Sequence, residues 1–234
     1  MNQEEKFNNV EQLLEQAGYT LSDLMRDASK YNSSLLQMKD DDLAEYNRLY
    51  SEIDKGGLSK GEKGKKLEEL STLLFEKSVA NLLQVYKNCR TSTNEIDLLI
   101  KWTDQANLAG INQAFPFLGD SFLCECKNYD RAVNVTFVGK FCSLMLVTNT
   151  DFGVMVSWDG VTGRGKWNDS LGLIKKFALS AKKYIIVLEK TDLQQICDRK
   201  RTLFSLMHDK YIALKADIDY EKYIVVHDAE KNMK

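Results

Sequence analysis

Histidine, proline and long apolar runs are scarce in this chain of 234 residues, and each scarcity excludes a class of protein. The two histidines, His208 and His227, argue against metal sites and catalytic triads that need several imidazoles. One proline and 13 glycines are too few for a collagenous or proline-rich low-complexity chain. No apolar run reaches the roughly 20 residues of a membrane-spanning helix, so no membrane association is expected.

The cysteines indicate the cellular compartment and argue against a zinc site, and the charge distribution indicates which part of the chain is suited to nucleic acid. The five cysteines are odd in number, and the first residues are polar and acidic rather than a secretory signal, so we expect a cytoplasmic protein. Cys124 and Cys126 have no second pair at zinc spacing, which argues against a structural zinc. The net charge of -2 combines an acidic excess in residues 1–60 with a basic excess after them. Contacts with nucleic acid are therefore expected only in a local groove of the later part.

The first quarter of the chain is predicted to be helical. Val10, Leu13, Leu14 and Ala17 fall at helical spacing, and a second helix starts near Thr20, with Leu21, Leu24, Met25 and Ala28 as its buried stripe. Asp40, Asp41 and Asp42 are predicted to begin a third helix rather than to bind metal, because carboxylates are favoured at helix N-termini. Lys55–Ser59, with two glycines, predicts a linker.

After the linker, a helix over 61–86 precedes a region of alternating strands and helices. Residues 101–120 are predicted as a loop, and residues 134–147 fit a strand or a helix equally well. The remaining pattern predicts strands over 95–100, 121–127, 152–157, 184–188 and 223–226, and helices over 168–181 and 193–206. We therefore expect an α/β fold in which a mixed central sheet is flanked by helices, with an N-terminal helical region.

Three charged residues interrupt the apolar strand patterns. Asp97 lies within a short apolar run, while Glu125 and Lys127 alternate with two cysteines on the next predicted strand. Side chains two residues apart on a strand share one face, so Glu125 and Lys127 are expected to point together. Burying such charges is costly unless they pair or bind something. If the two strands are neighbours, both carboxylates and the ammonium converge.

The pattern leaves two interpretations of these residues open. Two carboxylates at a strand end form an oxygen site suited to Mg²⁺, and a nearby lysine helps ionise an attacking water or holds a phosphate oxygen. That set is suited to hydrolysis of a phosphodiester. The other interpretation is a buried Glu125–Lys127 pair, with Asp97 as a turn or capping residue. An E-x-K triplet alone does not separate the two.

Four segments together resemble the PD-(D/E)XK nuclease superfamily, and most closely its Mrr-like restriction endonuclease branch. In chain order they are Gly64–Leu70, Asn94–Leu99, Glu125–Tyr129 and Phe152–Ser157. The resemblance covers about residues 59–190 and implies a restriction-endonuclease-like fold. It also implies that Asp97 and Glu125 bind the metal with the backbone carbonyl of Cys126, and that Lys127 is the catalytic lysine. Mg²⁺ is the implied cofactor, with Mn²⁺ as a substitute.

One matched residue, Glu68, has alternatives, and the sequence differs from the family pattern at three points. Glu68 matches a glutamate that many members carry on the first core helix, although the adjacent Glu69 and an ordinary surface role are alternatives. Ile96 replaces the family's proline before the first aspartate. No glutamine follows the catalytic lysine before the next strand, and residues 101–120 lengthen the segment between the two catalytic strands. The last two departures concern substrate positioning rather than the metal ligands.

Three more residues are candidate substrate contacts. Arg164 and Lys166 lie in a glycine-rich loop, where contact with phosphates and a solvated surface are both possible roles. Asn128 directly follows the catalytic lysine and is placed to contact the substrate or to orient neighbouring groups.

These inferences predict a metal-dependent deoxyribonuclease acting in bacterial restriction or anti-phage defence. The alternatives are a junction-resolving nuclease and a non-catalytic subunit that keeps the fold and binds a partner. We divide the chain into an N-terminal helical region (1–58), a nuclease core (59–190) and a C-terminal helix and strand (191–234). DNA is the expected substrate, and residues 1–58 are expected to mediate homodimerisation, partner binding or targeting.

Overall fold

The computed structural model describes residues 2–30, 33–79, 82–90, 95–163 and 169–217. Five strands form one sheet, namely β1 (Leu83–Arg90), β2 (Glu95–Trp102), β3 (Ser121–Lys127), β4 (Phe152–Ser157) and β5 (Tyr184–Leu188). The helices are α1 (Gln3–Gln16), α2 (Leu21–Lys30), α3 (Asp40–Lys55), α4 (Lys60–Lys77), α5 (Asp104–Leu108), α6 (Val135–Val147), α7 (Asp169–Ala181), α8 (Lys190–Cys197) and α9 (Leu203–Lys215). Short 3₁₀ turns lie at Ser34–Leu36, Ile111–Ala114 and Pro116–Leu118.

The sheet is mixed, as the sequence predicts. The strands lie in the order β1-β2-β3-β4-β5, with antiparallel pairing from β1 to β3 and parallel pairing from β3 to β5. The parallel strands are joined through α6 and α7, because a parallel connection needs a crossover that is usually helical. The C-terminal ends of β3 and β4 therefore lie at the same end of the sheet as the N-terminal end of β2, because β2 runs antiparallel to β3.

Helices cover both faces of the sheet and create two hydrophobic cores. One core is formed by α6 and α7 against side chains such as Leu123 and Met155. The other core contains α4, α8 and α9 against Cys124 and Val154. Adjacent residues of β3 and β4 therefore face opposite cores, as strand alternation requires.

The helix predicted over 61–86 is wrong in its C-terminal part. Helix α4 ends at Lys77, and Leu83–Arg90 forms β1 at the edge of the sheet. Leu83 continues the leucine pattern of α4, but it pairs with Trp102 of β2 and is buried there. Pairing with β2, rather than a local preference, decides the conformation of this segment.

Other boundaries also differ from the prediction. The predicted helix over 193–206 is two helices, because α8 ends at Cys197 and Thr202 caps α9 by accepting from the Ser205 backbone N–H. The predicted loop 101–120 contains α5 and two 3₁₀ turns. The ambiguous segment 134–147 is helix α6, which Asn134 caps. The predicted strand over 223–226 lies outside the described residues.

The N-terminal helices differ in how they pack. Helices α2 and α3 contribute Met25, Ala28, Tyr46 and other residues to the same core as the sheet. Leu21, predicted to be buried, is exposed, as are the apolar Val10 and Leu13 of α1. None of the described helices is both long and apolar enough to cross a membrane.

The packing of α6 on β4 leaves no room for a side chain at Gly153. An added Cβ would lie 2.8 Å from Met145 Sδ and 2.9 Å from Phe141 Cε1. We expect Gly153→Ala to lower the free energy of unfolding by about 1–3 kcal/mol, measured by urea denaturation. The control is Gly139→Ala in α6, where the nearest atom to the added Cβ is Leu173 Cδ2 at 3.8 Å. An equal loss of stability in both variants would contradict the steric explanation.

Candidate active site

The start of β2 and the end of β3 bring Asp97 to the backbone of Cys126. The β2–β3 pairing ends at Leu98 and Cys124, so Asp97 lies just beyond the ladder. Its Oδ2 accepts a hydrogen bond of 2.8 Å from the Cys126 backbone N–H. The side chain thus binds a main-chain donor at the end of the ladder, which fixes the orientation of the carboxylate.

Asp97, Glu125 and Lys127 converge as the sequence predicts. Lys127 Nζ lies 2.5 Å from Glu125 Oε1 and 3.3 Å from Asp97 Oδ2. The three side chains are 16–25% exposed, so they are shielded from solvent but still reachable. Of the alternative roles for Asp97, the turn is wrong because Asp97 lies within β2, whereas its hydrogen bond from the Cys126 N–H is a capping contact at the end of the β2–β3 ladder. The Glu125–Lys127 pair is present, and Asp97 extends it to a triad with more acidic than basic groups.

Burial and mutual attraction set the protonation of this cluster. Burial raises the pKa of Glu125, and the attraction of Lys127 only partly offsets that increase. Burial opposes the charge on Lys127, but the attraction of Glu125 and Asp97 outweighs it and raises the Lys127 pKa above its ordinary value. Lys127 is therefore a stable cation near neutral pH, suited to bind an anionic oxygen rather than to act as a general base.

Glu68 on α4 is part of the same electrostatic environment. Burial, followed by the negative charge of Asp97, raises the pKa of the Glu68 carboxyl. Glu68 is half-buried, whereas its neighbour Glu69 is exposed and pairs with Lys66. Of the two glutamates that the sequence leaves as alternatives, Glu68 therefore lies in the environment of Asp97, and Glu69 lies on the exposed side of α4.

The donor set is compatible with a hard divalent cation. Mg²⁺ typically takes one or two protein carboxylates and keeps several waters. Asp97 and Glu125 provide two carboxylates that share one cationic partner, Lys127. Among the described residues, no three His, Cys, Asp or Glu side chains form a ready metal site. The cluster therefore fits a cation with few protein ligands better than a fully enclosed metal. The Cys126 carbonyl stays a predicted ligand.

Of the three candidate substrate residues, the structure describes only Asn128. Arg164 and Lys166 lie outside the described residues. Asn128 is 5% exposed, and its Nδ2 has no hydrogen-bond partner among the described residues. Its burial is more compatible with orienting nearby backbone than with direct contact to DNA. A substrate role for Asn128 stays a prediction.

An unusual backbone conformation lies opposite Asp97 and was missed in the sequence. Asn88 of β1 has a φ of 49°, in the left-handed region, and the neighbouring pairs of the β1–β2 ladder place it across from Asp97. Asparagine tolerates this conformation better than most residues. No strand was predicted here, because the predicted helix over 61–86 includes the first residues of β1 and ends just before Asn88.

The family comparison agrees with this geometry. Residues 60–197 match the Mrr catalytic family, described as restriction endonuclease. The chain belongs to this restriction endonuclease family. The matched range includes α4, all five strands and the cluster of Asp97, Glu125 and Lys127. The predicted superfamily is confirmed, and residues 60–197 form a catalytic domain of the restriction endonuclease family.

One solved structure and the curated proteins complete the comparison. A DNA modification-dependent restriction endonuclease, AspBHI, is similar at 15% sequence identity and a TM-score of 0.34. The alignment covers 79% of this chain and 42% of that chain, so this restriction endonuclease chain spans less than half of its solved relative. Comparison with curated proteins gives no match.

Proposed function

We propose that this protein is a divalent-metal-dependent endonuclease that hydrolyses DNA phosphodiester bonds in restriction or anti-phage defence. The observation that carries the proposal is the convergence of Asp97, Glu125 and Lys127 within a restriction endonuclease domain. Mg²⁺ is the proposed cofactor, and Mn²⁺ is expected to replace it.

Each residue of the cluster has a distinct proposed role. Asp97 and Glu125 would hold the cation together with the carbonyl of Cys126. When bound, a divalent cation supplies positive charge at the phosphate oxygens and lowers the pKa of an attacking water. Lys127 carries three N–H donors and orients that water or a phosphate oxygen for in-line attack. The Cys126 N–H holds Asp97 in place throughout.

A plasmid assay tests this proposal directly. We expect the purified full chain to cut supercoiled plasmid with Mg²⁺ or Mn²⁺ and to stop when EDTA is present. A branched duplex assayed beside a linear one separates general cleavage from junction resolution. Failure to cut any of these DNAs, together with absence of Mg²⁺ binding by calorimetry, would favour the non-catalytic alternative.

The position of Glu68 gives a sharper test of the site. We expect Glu68→Gln to reduce cleavage by about 10–100-fold, because a neutral amide no longer contributes charge beside Asp97. Glu69→Gln, which makes the same change on the exposed side of α4, is the matched control and should cut at the wild-type rate. Initial rates on plasmid at saturating Mg²⁺ provide the measurement. Equal activity of the two variants would remove Glu68 from the site.

The remaining assignments complete the proposal. We retain residues 1–58 as a helical region for dimerisation, partner binding or targeting, residues 59–190 as the nuclease core and residues 191–234 as a C-terminal part. The exposed Val10 and Leu13 on α1 support a contact surface in the first region. A homodimer would supply two sites for the two DNA strands. A cytoplasmic location is proposed from the cysteine pattern.

A further inference from the structure

An aromatic and basic cluster extends from the catalytic strand to solvent. Tyr129 follows Lys127 by two residues, and its ring centroid lies 5.1 Å from that of Phe137 in the first turn of α6. Lys140, one turn further along α6, places Nζ 5.7 Å from the centre of the Phe137 ring. The two rings are half-buried and Lys140 is exposed. We call Tyr129, Phe137 and Lys140 the loop–helix cluster.

The cluster is close to the proposed active site. Lys127 is the last residue of β3, and only Asn128 separates it from Tyr129, so the cluster begins directly beside the catalytic strand. The spacings of 5.1 Å between the Tyr129 and Phe137 rings and of 5.7 Å from the Phe137 ring to Lys140 Nζ connect this loop to the exposed side of α6.

The loop that carries Tyr129 is held at both ends. Asp130 forms an ion pair with Lys63 of α4, which anchors the loop beside the site. Val133 donates its backbone N–H to the Gly160 carbonyl at 2.9 Å, at a bridge between the loops that follow β3 and β4. A surface fixed in this way can bind a ligand without a large ordering cost.

The charge around the cluster favours an anion. The first turn of α6 contains no acidic residue, and the N-terminal end of a helix carries partial positive charge. Arg131 in the same loop is exposed, and the nearby Asp130 is paired with Lys63. Lys140 covers a face of Phe137 that base stacking would need, so contact with a sugar and a phosphate fits this surface better than contact with a base.

We propose that the loop–helix cluster binds the sugar–phosphate backbone of DNA next to the cleaved bond. This inference rests on the proposed function. Lys140 contacts a non-bridging phosphate oxygen, and the edges of Phe137 and Tyr129 pack against deoxyribose. Backbone contacts position DNA without reading its sequence. The cluster therefore holds duplexes of any sequence against the catalytic residues.

The salt dependence of DNA binding tests the proposal. Binding of the full chain to fluorescein-labelled duplexes of two unrelated sequences is measured by fluorescence anisotropy in EDTA, over about 50 to 200 mM salt. We expect Lys140→Ala to weaken binding to both duplexes by about three- to tenfold and to lower the slope of log K against log salt by about 0.9. Lys140→Arg should keep the slope.

Matched variants separate a local contact from a general change in charge. Lys101→Ala removes an exposed lysine of β2 that pairs with Ser121, at the far end of β3 from the site, and should leave the slope unchanged. Phe137→Leu should weaken binding without changing the slope, because it removes an apolar contact only. Thermal melts check that each variant is folded.

Each outcome is decisive. An unchanged slope in Lys140→Ala, the same change in Lys101→Ala, or a loss confined to one duplex sequence would overturn the inference. If the parent protein cuts plasmid with Mg²⁺ in any of these cases, the proposed function survives and only the inference fails. A parent protein that neither binds nor cuts DNA would overturn both.

Discussion

Asp97→Asn is expected to reduce plasmid cleavage by about 10²–10³-fold while leaving the melting temperature nearly unchanged. Asparagine keeps the shape of the side chain and an oxygen that can accept from the Cys126 N–H. It removes the negative charge that Asp97 presents to Lys127 and, in the proposed function, to the cation. The rate of nicking of supercoiled plasmid, with thermal denaturation beside it, measures the two effects separately.

The control for this variant is an exposed aspartate that precedes the neighbouring strand, β3, at the end of β3 far from the site. Asp120 directly precedes β3, so Asp120→Asn makes the same chemical change far from the cluster. We expect Asp120→Asn to cut at the wild-type rate, and Lys127→Ala to be as inactive as Asp97→Asn. Wild-type cleavage by both Asp97→Asn and Lys127→Ala would refute the site.

Lys210→Met is expected to lower the free energy of unfolding by about 3–5 kcal/mol. Lys210 Nζ lies 2.9 Å from Asp192 Oδ2, and the Asp192 side chain is 4% exposed. Burial already raises the pKa of Asp192, and Lys210 opposes that effect. Without the lysine, a buried carboxylate near the N-terminus of α8 would have no cation to offset its desolvation. Chemical denaturation at neutral pH measures the loss.

Two further variants test this explanation. Asp192→Asn combined with Lys210→Met should recover most of the lost stability, because no buried charge is then left unpaired. Lys200→Met breaks the exposed pair with Asp198 and should cost at most about 1 kcal/mol. If the double variant is no more stable than Lys210→Met alone, packing rather than charge explains the effect.

The sequence predicted the strands that have a strong local pattern. The apolar runs that became β2 to β5 are buried on one or both faces, and their composition alone identifies them. Strand β1 was missed because it lies at the sheet edge, where Tyr86 and its neighbours are exposed and no clean alternation develops. Its conformation depends on pairing with β2, which sequence periodicity does not reveal.

The break between α8 and α9 was missed for a different reason. Thr202 begins α9 through a reciprocal contact with Ser205, not with the glutamate or glutamine that usually marks such a start. The apolar Leu193 and Ile196 before the break and Phe204 and Met207 after it keep a helical spacing across it. The apolar periodicity therefore continues between Cys197 and Leu203, although the helix itself is interrupted there.

The convergence of the three charged residues was easier to predict than the structure around them. Charged side chains on apolar strands are costly, so Asp97, Glu125 and Lys127 stood out before any geometry was known. The Cys126 N–H that binds Asp97 carries no sequence signal, because every residue except proline has such a donor. Asn88 and the loop–helix cluster depend on register and on the path of the loop after β3, which only the structure provides.

The Lys127 ammonium has a consequence for how this protein responds to chelators. This ammonium offsets part of the charge of both carboxylates, so we expect the fold to need no external ion to relieve their repulsion. If the proposed function holds, withdrawing the divalent cation would stop catalysis without melting the domain.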